Sequence, residues 1–397
     1  MKSIILKPKR EKNLLRRHPW IFSGAVAEVR GQPQPGETVE ILSANGTWCG
    51  RGAYSPRSQI AVRLWTFAPD EAIDDAFFRS RLARALTARQ AQMNTDGPLA
   101  GCRLVNAEAD GLPGLIVDRY ADFLVCQIQA TGPEYWREAI VRGLRELLPA
   151  FSIYERSDAR VRDKEGLPAR VGILAGREPD DLIEITEGRC RFLVDIKTGH
   201  KTGFYLDQRP NRAMASEYAT GNAVLNCFAY TGGFAVACAM AGAAEITNIE
   251  TSAAALDLCR RNLELNGIDH ARIDNVEGDV FVVLRQYRDA GRQFDLIILD
   301  PPKFAESRHQ LERASRGYKD INLLAFKLLR PGGILFTFSC SGLLDRDLFQ
   351  KIVAGAALDA GRDAQIVRWL TQGPDHPSAL HFPEGGYLKG LACRVWE

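Results

Sequence analysis

The spacing of apolar and polar positions changes twice along the chain. In residues 1–68 the apolar segments are short and are broken by turn residues, and Asn45-Gly46 separates two of them. An Asn-Gly pair between two such segments is typical of a β-hairpin. This first stretch therefore predicts a small β-barrel domain.

Residues 69–183 mix helical and strand spacings. The predicted helices are 74–93 and 135–148, and the predicted strands are 115–118, 123–129 and 151–155. The stretch therefore predicts a second, mixed α/β domain that links the first domain to the remainder of the chain.

Residues 184–397 alternate between apolar strands and amphipathic helices. The predicted strands are 224–228, 245–250, 272–277, 294–299, 333–339 and 392–396, and the predicted helices include 233–241, 252–265 and 318–329. This alternation predicts an α/β domain with a doubly wound, Rossmann-like parallel sheet. Ligands of such sheets bind beyond the carboxyl ends of the strands, so the residues after each strand are the candidates for a site.

The composition excludes several classes of protein. The 397 residues are 46% hydrophobic and 25% charged, as in ordinary globular proteins. The sequence has neither the ~20 uninterrupted apolar residues of a membrane helix nor the apolar core of a secretory signal at its start. Nine cysteines are scattered without a CxxC pair, which argues against a zinc site or a disulfide scaffold. We therefore expect a cytoplasmic protein with reduced thiols and no metal.

Lysine and arginine are concentrated at the start of the chain. Residues 1–63 hold eleven of them against four acidic residues, an excess of +7, although the net charge of the chain is only +2. A module that binds a polyanion produces this asymmetry, because each cation near a phosphate releases counterions. We expect the module to bind RNA, with Arg16 and Arg17 among its contacts; a solvated basic tail is the alternative. The arginines from Arg156 to Arg177 could extend that surface or lie in a solvated loop.

A glycine-containing loop follows the first strand of the predicted parallel sheet. The nicotinamide fingerprint GxGxxG is absent from it, so a dinucleotide enzyme is the weaker hypothesis. Glycines at this place let the backbone approach a ligand closely, although a tight turn alone would also use them. The predicted cofactor contacts in this loop are Asn226, Phe228, Tyr230, Thr231, Gly232 and Gly233.

Acidic residues follow the next two predicted strands. Glu250 stands where an acid in doubly wound folds accepts hydrogen bonds from ribose hydroxyls. Asp279 stands where a carboxylate can accept from an adenine amino group. Either acid alone could be a helix cap. Two acids beside a glycine turn predict a nucleoside-type cofactor site.

The fourth predicted strand ends in the segment DPPKF, residues 300–304. Two consecutive prolines fix φ and remove two amide donors, so they project the preceding acid rigidly. Asp300 is therefore predicted to hold the edge of a base, with Lys303 and Phe304 as further substrate contacts and the Phe304 ring free to stack. The alternative is a proline-terminated strand with a capping aspartate.

Cys340 follows the fifth predicted strand. A lone cysteine is usually a small core residue. The strand-end rule, however, places Cys340 in the same crevice as Asp300 and the cofactor. Cys340 is therefore a candidate catalytic residue.

Five segments carry a specific resemblance to a known family. The chain closely resembles the bacterial ribosomal RNA large subunit methyltransferase I family over essentially its whole length. The segments are NCFAYTGGF at 226–234, DPPKF at 300–304, GYKDIN at 317–322, FSCSG at 338–342 and PEGGYLKG at 383–390.

The resemblance implies both an activity and an architecture. Members of the family transfer a methyl group from S-adenosylmethionine to C5 of a cytosine in 23S ribosomal RNA. The implied domains are a PUA-like domain at 1–68, a mixed α/β domain at 69–183 and a class I methyltransferase domain at 184–397. Cys340 is implied as the nucleophile, Asp300 as a contact of the substrate base and the cofactor, and Glu250, Asp279 and the glycine turn as the cofactor site.

The chemistry of this reaction agrees with those residue types. Cytosine C5 is a poor carbon nucleophile, so a thiolate must first add to C6. Other common cytosine-5 RNA methyltransferases carry a second cysteine beside the aspartate, where this chain has Pro301 and Pro302. Removal of the C5 proton therefore needs another base, for which Glu384 is a candidate.

Two rival hypotheses remain open. Asp-Pro-Pro turns also resemble the motif of methyltransferases that act on exocyclic amines, which would need no cysteine at position 340. A non-catalytic RNA-binding assembly factor is the rival from another class, and binding of S-adenosylmethionine would exclude it. The predicted partner is 23S ribosomal RNA, without membrane or metal, and a homodimer is left open.

Overall fold

The computed structural model describes residues 2–95, 97, 100–305 and 307–397, which form two compact units. The first unit contains the residues up to Ile185 together with Val194–Leu206 and Pro374–Gly385. The second unit contains Thr186–Leu193, Asp207–Gly373 and Gly386–Glu397. The finer division into three domains, with boundaries after residues 68 and 183, stays a prediction.

The first unit begins with a six-stranded sheet. Its elements are β1 (Ser3–Leu6), α1 (Lys12–Leu15), β2 (Trp20–Phe22), β3 (Val26–Arg30), β4 (Thr38–Leu42), β5 (Trp48–Tyr54) and β6 (Ile60–Thr66), and the spatial order is β2-β6-β5-β4-β1-β3. β4 and β5 pair antiparallel, with Gly46 at φ +85° between them. The predicted hairpin at Asn45-Gly46 is therefore confirmed.

A five-stranded mixed sheet follows in the same unit. Its elements are α2 (Asp75–Ala88), α3 (Gln90–Thr95), β7 (Gly101–Asn106), β8 (Leu115–Tyr120), β9 (Phe123–Ile128), α4 (Thr131–Tyr135), α5 (Arg137–Leu147), β10 (Ser152–Ser157), α6 (Val161–Glu165) and β11 (Arg170–Ala175). The spatial order is β11-β10-β9-β8-β7. Helices α2 and α5 pack on this sheet, and Phe77 and Phe78 of α2 share its apolar core with Trp65 of β6.

Two expectations for this unit are wrong: the helix 74–93 is not continuous, and residues 156–177 are not a single loop. The predicted helix 74–93 is interrupted at Arg89, whose guanidinium forms an ion pair of 2.6 Å with Asp110. The segment from Arg156 to Arg177 contains a helix and a strand instead of a basic loop. Arg156 and Arg162 are 5% and 1% exposed, and Arg162 donates to the backbone carbonyl of Ile128. These two arginines therefore cannot extend a basic surface.

The second unit is built on a seven-stranded sheet. The elements of residues 183–397 are β12 (Ile183–Glu187), β13 (Cys190–Val194), α7 (Arg209–Ser216), β14 (Ala223–Cys227), α8 (Gly233–Met240), β15 (Glu245–Glu250), α9 (Ala253–Leu265), β16 (Ile273–Glu277), α10 (Val280–Asp289), β17 (Phe294–Leu299), α11 (Leu311–Leu328), β18 (Leu329–Ser339), α12 (Arg346–Ala360), β19 (Ala364–Thr371) and β20 (Lys389–Val395). The spatial order is β16-β15-β14-β17-β18-β20-β19.

Strands β14 to β18 are parallel, as predicted, whereas β20 is antiparallel to both of its neighbours. Leu225, Ile297 and Leu335 are fully buried in the centre of the sheet, as expected where helices cover both faces. The chain winds outward from β14 in one direction and from β17 in the other. The strand order therefore reverses between β14 and β17, which is where doubly wound folds bind their ligands.

No helix in the described ranges combines the length and the apolar character that a transmembrane span requires.

Candidate active site at the carboxyl edge of the sheet

Strand register brings the predicted site residues to one edge of the second unit. Cys227, the last residue of β14, pairs with Ile249 of β15 and with Leu299 of β17. Leu299 in turn pairs with Thr337 of β18. Neighbouring strands lie about 4.8 Å apart, so the residues that follow them line one crevice. These residues are Phe228, Asp279, Asp300 and Cys340, and Glu250, the last residue of β15, lies at the same edge.

Two non-glycine residues of the loop after β14 have left-handed backbone conformations. Phe228 has φ +59° and Tyr230 has φ +47°. Such conformations cost about 1–3 kcal/mol each and cluster at ligand sites, where the surrounding structure holds them. The hydroxyl of Thr231 is buried and has no hydrogen-bond partner within the described residues. Backbone strain and an unpaired buried hydroxyl in one loop are features that many ligand-binding loops share.

Glu250 holds this loop through both carboxylate oxygens. Its Oε2 accepts the backbone N–H of Tyr230 at 2.9 Å. Its Oε1 accepts the N–H and hydroxyl of Thr251 at 2.8 and 3.1 Å and the N–H of Ser252 at 3.1 Å. A carboxylate oxygen has two lone pairs, so Oε2 retains capacity for a further donor such as a ribose hydroxyl. The predicted role as ribose anchor fits this geometry.

Asp279 is both a helix cap and a candidate ligand. Its Oδ1 accepts the backbone N–H groups of Phe281 and Val282 at 2.7 and 3.3 Å and so caps α10. The residue is exposed, and the described part of the chain gives its Oδ2 no hydrogen bond. The second oxygen is therefore available to an adenine amino group.

Asn226 and Gly232 have structural roles in the same loop. Asn226 is 1% exposed, and its Nδ2 donates to Asn248 Oδ1 at 2.9 Å within a ladder that continues to Asn275. A contact of the Asn226 side chain with a cofactor stays a prediction that this geometry does not support. Gly232 has φ +81°, and a Cβ there would lie 2.4 Å from the sulfur of Cys259. Only glycine therefore fits the start of α8, where Gly233 is the first helical residue.

Asp300 follows β17 in a strongly charged environment. Pro301 is buried and Lys303 is exposed, as expected for a rigid projection from the strand end. Nearby, the buried guanidinium of Arg212 donates from Nε to Glu187 Oε1 at 2.8 Å. Burial opposes the charge of Arg212, but the carboxylates of Glu187 and, with a smaller effect, Asp300 raise its pKa above the usual value. The charge of Asp300 therefore contributes to stabilising a buried cation whose hydrogen-bonded partner is Glu187.

Phe304 lies in an aromatic cluster. Its ring centroid is 4.7 Å from that of Tyr318, 5.9 Å from that of Phe281 and 6.4 Å from that of Phe228. These neighbours half-bury the ring, whereas the sequence analysis expected it to be free to stack. Stacking of a substrate base on Phe304 stays a prediction.

Cys340 is half-buried, whereas six of the nine cysteines are fully buried. The residue before it, Ser339, donates a hydrogen bond of 3.0 Å to the hydroxyl of Tyr318. Burial raises the pKa of Tyr318 to about 12, and negative charge on Cys340 and on Asp300 also acts to raise it. The Tyr318 hydroxyl therefore ties α11 to the end of β18, directly before Cys340.

Lys389 is a site residue that the sequence analysis missed. It is 5% exposed, and its Nζ donates a hydrogen bond of 2.5 Å to the backbone carbonyl of Ser341. Burial lowers its pKa to about 8, while the negative charge of Cys340 acts in the opposite direction. The available signal was a lysine just before the apolar run at the end of the chain, in the segment PEGGYLKG; lysine is rarely buried unless its ammonium has a partner. The sequence analysis also missed Arg212, another buried cation with a buried partner, here Glu187.

The remaining predicted contacts belong to the first unit. Arg16 and Arg17 follow α1, and both side chains are exposed. Glu384 lies 3.3 Å from Nε2 of His18 within that unit. Its role as a base stays a prediction, as do the substrate contacts of the two arginines.

Comparisons with known proteins support the fold and the cofactor. A family model described as S-adenosylmethionine-dependent methyltransferase matches residues 120–379, and a PUA-like domain model matches residues 4–67. A solved structure from Streptococcus mutans, described as a candidate SAM-dependent methyltransferase, has a TM-score of 0.86 and 23% identity, with 100% of both chains covered. A candidate methyltransferase solved in complex with S-adenosylhomocysteine has a TM-score of 0.87 at 23% identity over 100% of both chains. At this identity the two structures show the fold alone.

The relationship at the level of sequence is much closer. A ribosomal RNA large subunit methyltransferase I from Shewanella amazonensis is 56% identical over 393 residues, which cover 99% of each chain. The predicted α/β class, the PUA-like first domain, the Rossmann-like methyltransferase domain and the cofactor S-adenosylmethionine are confirmed. The chain belongs to the ribosomal RNA large subunit methyltransferase I family of S-adenosylmethionine-dependent enzymes.

Proposed function

We propose that this enzyme methylates C5 of a cytosine in 23S ribosomal RNA through a covalent bond between Cys340 and C6 of the base. One observation carries the proposal: Asp300 and Cys340 directly follow the neighbouring parallel strands β17 and β18, at the edge of the sheet where the cofactor loop follows β14. The name of the Shewanella amazonensis relative supports a ribosomal RNA of the large subunit as the substrate.

The cofactor half of the site fits S-adenosylmethionine. Oε2 of Glu250 would accept from the ribose, and Oδ2 of Asp279 would accept from the adenine amino group. The strained backbone from Phe228 to Tyr230 would be held in place by the same ligand. When bound, the cofactor supplies a methyl group on a positively charged sulfur.

The substrate half of the site would activate the base. The thiolate of Cys340 adds to C6, which makes C5 electron-rich enough to attack a methyl group. Asp300 holds the N3 and N4 edge of the cytosine and stabilises the adduct. The target base must leave its stack to enter the crevice. When the C5 proton is later removed, the bond between sulfur and C6 breaks and the thiolate is regenerated.

RNA containing 5-fluorocytidine at the target position tests the covalent step. The fluorine cannot leave as a proton does, so the adduct with wild-type enzyme should persist through denaturing electrophoresis. Cys340→Ala should form no adduct and lose methyl transfer, while binding S-adenosylmethionine as before. Cys190→Ala removes another half-buried cysteine of the same unit and is the matched control.

The outcome also decides between the rival functions. Retained methyl transfer by Cys340→Ala would contradict covalent catalysis and favour methylation of an exocyclic amine. Absence of S-adenosylmethionine binding by the wild-type protein would favour a non-catalytic RNA-binding role. Mapping of 5-methylcytosine in 23S ribosomal RNA, from cells with and without the protein, tests the target base.

A further inference from the structure

Lys389 contacts the chain on both sides of Cys340. In the antiparallel pairing of β18 with β20, Lys389 lies opposite Ser339, the residue before Cys340. Its Nζ donates to the carbonyl of Ser341, the residue after Cys340. The side chain of Lys389 is 5% exposed. An aliphatic residue would fill this position without the cost of burying a charge, so the ammonium needs an explanation.

The hydrogen bonds of Nζ to the described residues satisfy the ammonium only in part. The carbonyl of Ser341 takes one of its three protons. The charged groups that act on it are Cys340 and Asp345, which are negative when ionised, and the cations Arg346 and Lys303. Of these four, Cys340 has the largest effect. The attraction between two charges is mutual, so an ammonium at Lys389 stabilises a thiolate at Cys340.

We propose that Lys389 is a positioning residue that keeps Cys340 ionised as one half of an ammonium–thiolate pair. On ionisation the S–H bond of Cys340 breaks, the electron pair stays on sulfur, and the proton leaves to water while Nζ keeps its three protons. The pair is a property of the folded chain and can be measured without RNA. Only its use in adding the thiolate to C6 rests on the proposed function.

The rate of alkylation of Cys340 across a pH series tests the pair. Full-length protein is treated with iodoacetamide, and modification of the Cys340 peptide is followed by mass spectrometry, because the thiolate is the reactive form. In Lys389→Met the midpoint of the alkylation profile should rise by about one pH unit, the lower end of the effect of a nearby opposite charge. Alkylation near neutral pH should then be about tenfold slower.

Two further variants separate charge from structure. Lys389→Arg keeps a cation and should retain most of the wild-type profile, whereas Lys389→Gln keeps polarity without charge and should behave like Lys389→Met. Lys351→Met, which removes an exposed lysine paired with Asp347 on α12, should leave the profile unchanged. Wild-type melting behaviour in each variant shows that the fold is intact, and Lys389→Gln replaces Lys389→Met if the latter does not fold.

An unchanged alkylation profile in a folded Lys389→Met or Lys389→Gln protein would overturn the proposal. Lys389 would then have only a structural role, through its hydrogen bond to Ser341. A shift in Lys389→Arg as large as that in Lys389→Gln would overturn the proposal equally. A wild-type protein that shows the expected profile but does not methylate RNA would contradict the proposed function and leave the ion pair standing.

Discussion

At the residue scale, Glu250 and Asp279 each combine bonds to the backbone with a remaining acceptor site. Glu250 uses three acceptor bonds on Oε1 and one on Oε2, while Asp279 caps α10 through Oδ1. The structural and the ligand-binding interpretations of these acids are therefore compatible. Substitutions that keep size and shape separate the two roles better than truncation does.

Glu250→Gln should weaken binding of S-adenosylmethionine. The substitution keeps the volume of the side chain but removes a charged acceptor, which contributes about 1.5–3 kcal/mol. The dissociation constant should rise about 10- to 150-fold by titration calorimetry. Glu245→Gln, at the exposed opposite end of β15, is the matched control and should bind as the wild type does. Equal affinities of the two variants would contradict the ribose assignment.

Lys389 also predicts how stability depends on pH. Its pKa is lowered to about 8 in the folded protein, mainly by burial, against about 10.4 in an unfolded chain. Between these values the unfolded chain binds more protons than the folded chain, so stability rises with pH across this window. Below about pH 8 the cost of burying the ammonium is present in full.

Lys389→Met removes this titration. Relative to wild type, the variant should therefore be more stable at neutral pH than at pH ~10, with a difference on the order of 3 kcal/mol between the two conditions. Urea unfolding of both proteins at both pH values measures it, because titrating groups that do not interact with Lys389 cancel in the comparison, and the thiol of Cys340 adds to the difference in the same direction. If the free energies of unfolding of Lys389→Met and wild type differ by the same amount at both pH values, Lys389 keeps its usual pKa.

The strand-end rule predicted four site residues from the sequence but could not predict Lys389. Glu250 ends a parallel strand and Asp279, Asp300 and Cys340 follow parallel strands, and the carboxyl ends of these strands share one edge. Lys389 instead begins β20, which runs antiparallel to β18, so its amino end meets that edge. The direction of the last strand is set by packing across the sheet, and the local sequence does not record it.

At the element scale, Gly232 lies where the cofactor loop packs against Cys259 of helix α9. Gly232→Ala combines a left-handed φ of +81° with a Cβ only 2.4 Å from the sulfur of Cys259. Each effect is unfavourable, and together they should lower the free energy of unfolding by more than ~1 kcal/mol. Thermal unfolding measures the loss, and weaker binding of S-adenosylmethionine should accompany it.

Gly242→Ala separates the two effects. Gly242 has a similar φ of +88°, but the nearest atom to its added Cβ is 3.8 Å away. Gly242→Ala should therefore lower the free energy of unfolding only by the part that is due to backbone strain. Cys259→Ala removes the clashing sulfur and should partly restore the stability of Gly232→Ala. A Gly232→Ala protein no less stable than Gly242→Ala would show that the loop can shift away from α9.

Elements with strong periodicity were predictable, and their ends were less so. The predicted helix 318–329 extends back to Leu311, and no bounds were predicted for α10 and α12, which Asp279 and Asp345 cap. Edge strand β19 was missed because most of its side chains are not buried, so it lacks a continuous apolar pattern. Burial by neighbouring elements, which decides these cases, is not visible in a local window of sequence.

At the scale of the whole molecule, the basic start of the chain cannot be treated as a removable module. Ala53 and Trp65 belong to the same apolar core as Phe77 and Phe78, and the rings of Trp65 and Phe78 are 5.3 Å apart. Deletion of residues 1–68 would expose this core. A resulting loss of RNA binding could not be separated from a loss of structure, so substitution of exposed cations is the better test.

The double variant Arg16→Gln/Arg17→Gln should weaken RNA binding in a salt-dependent way. Both side chains are exposed, and they belong to the segment that holds the excess charge of +7. If each contacts one phosphate of single-stranded RNA, the slope of log K against log salt should become shallower by about 1.4. Fluorescence anisotropy with a 23S ribosomal RNA fragment at several salt concentrations measures this slope.

Arg142→Gln/Arg145→Gln removes the same charge from α5 and is the matched control, since it lies outside residues 1–63. This control should keep the wild-type slope, and both variants should keep the wild-type affinity for S-adenosylmethionine, because the cofactor residues belong to the second unit. If both variants flatten the slope equally, RNA responds only to net charge. If neither does, the excess charge at the start of the chain serves another partner, and the RNA contacts must lie elsewhere.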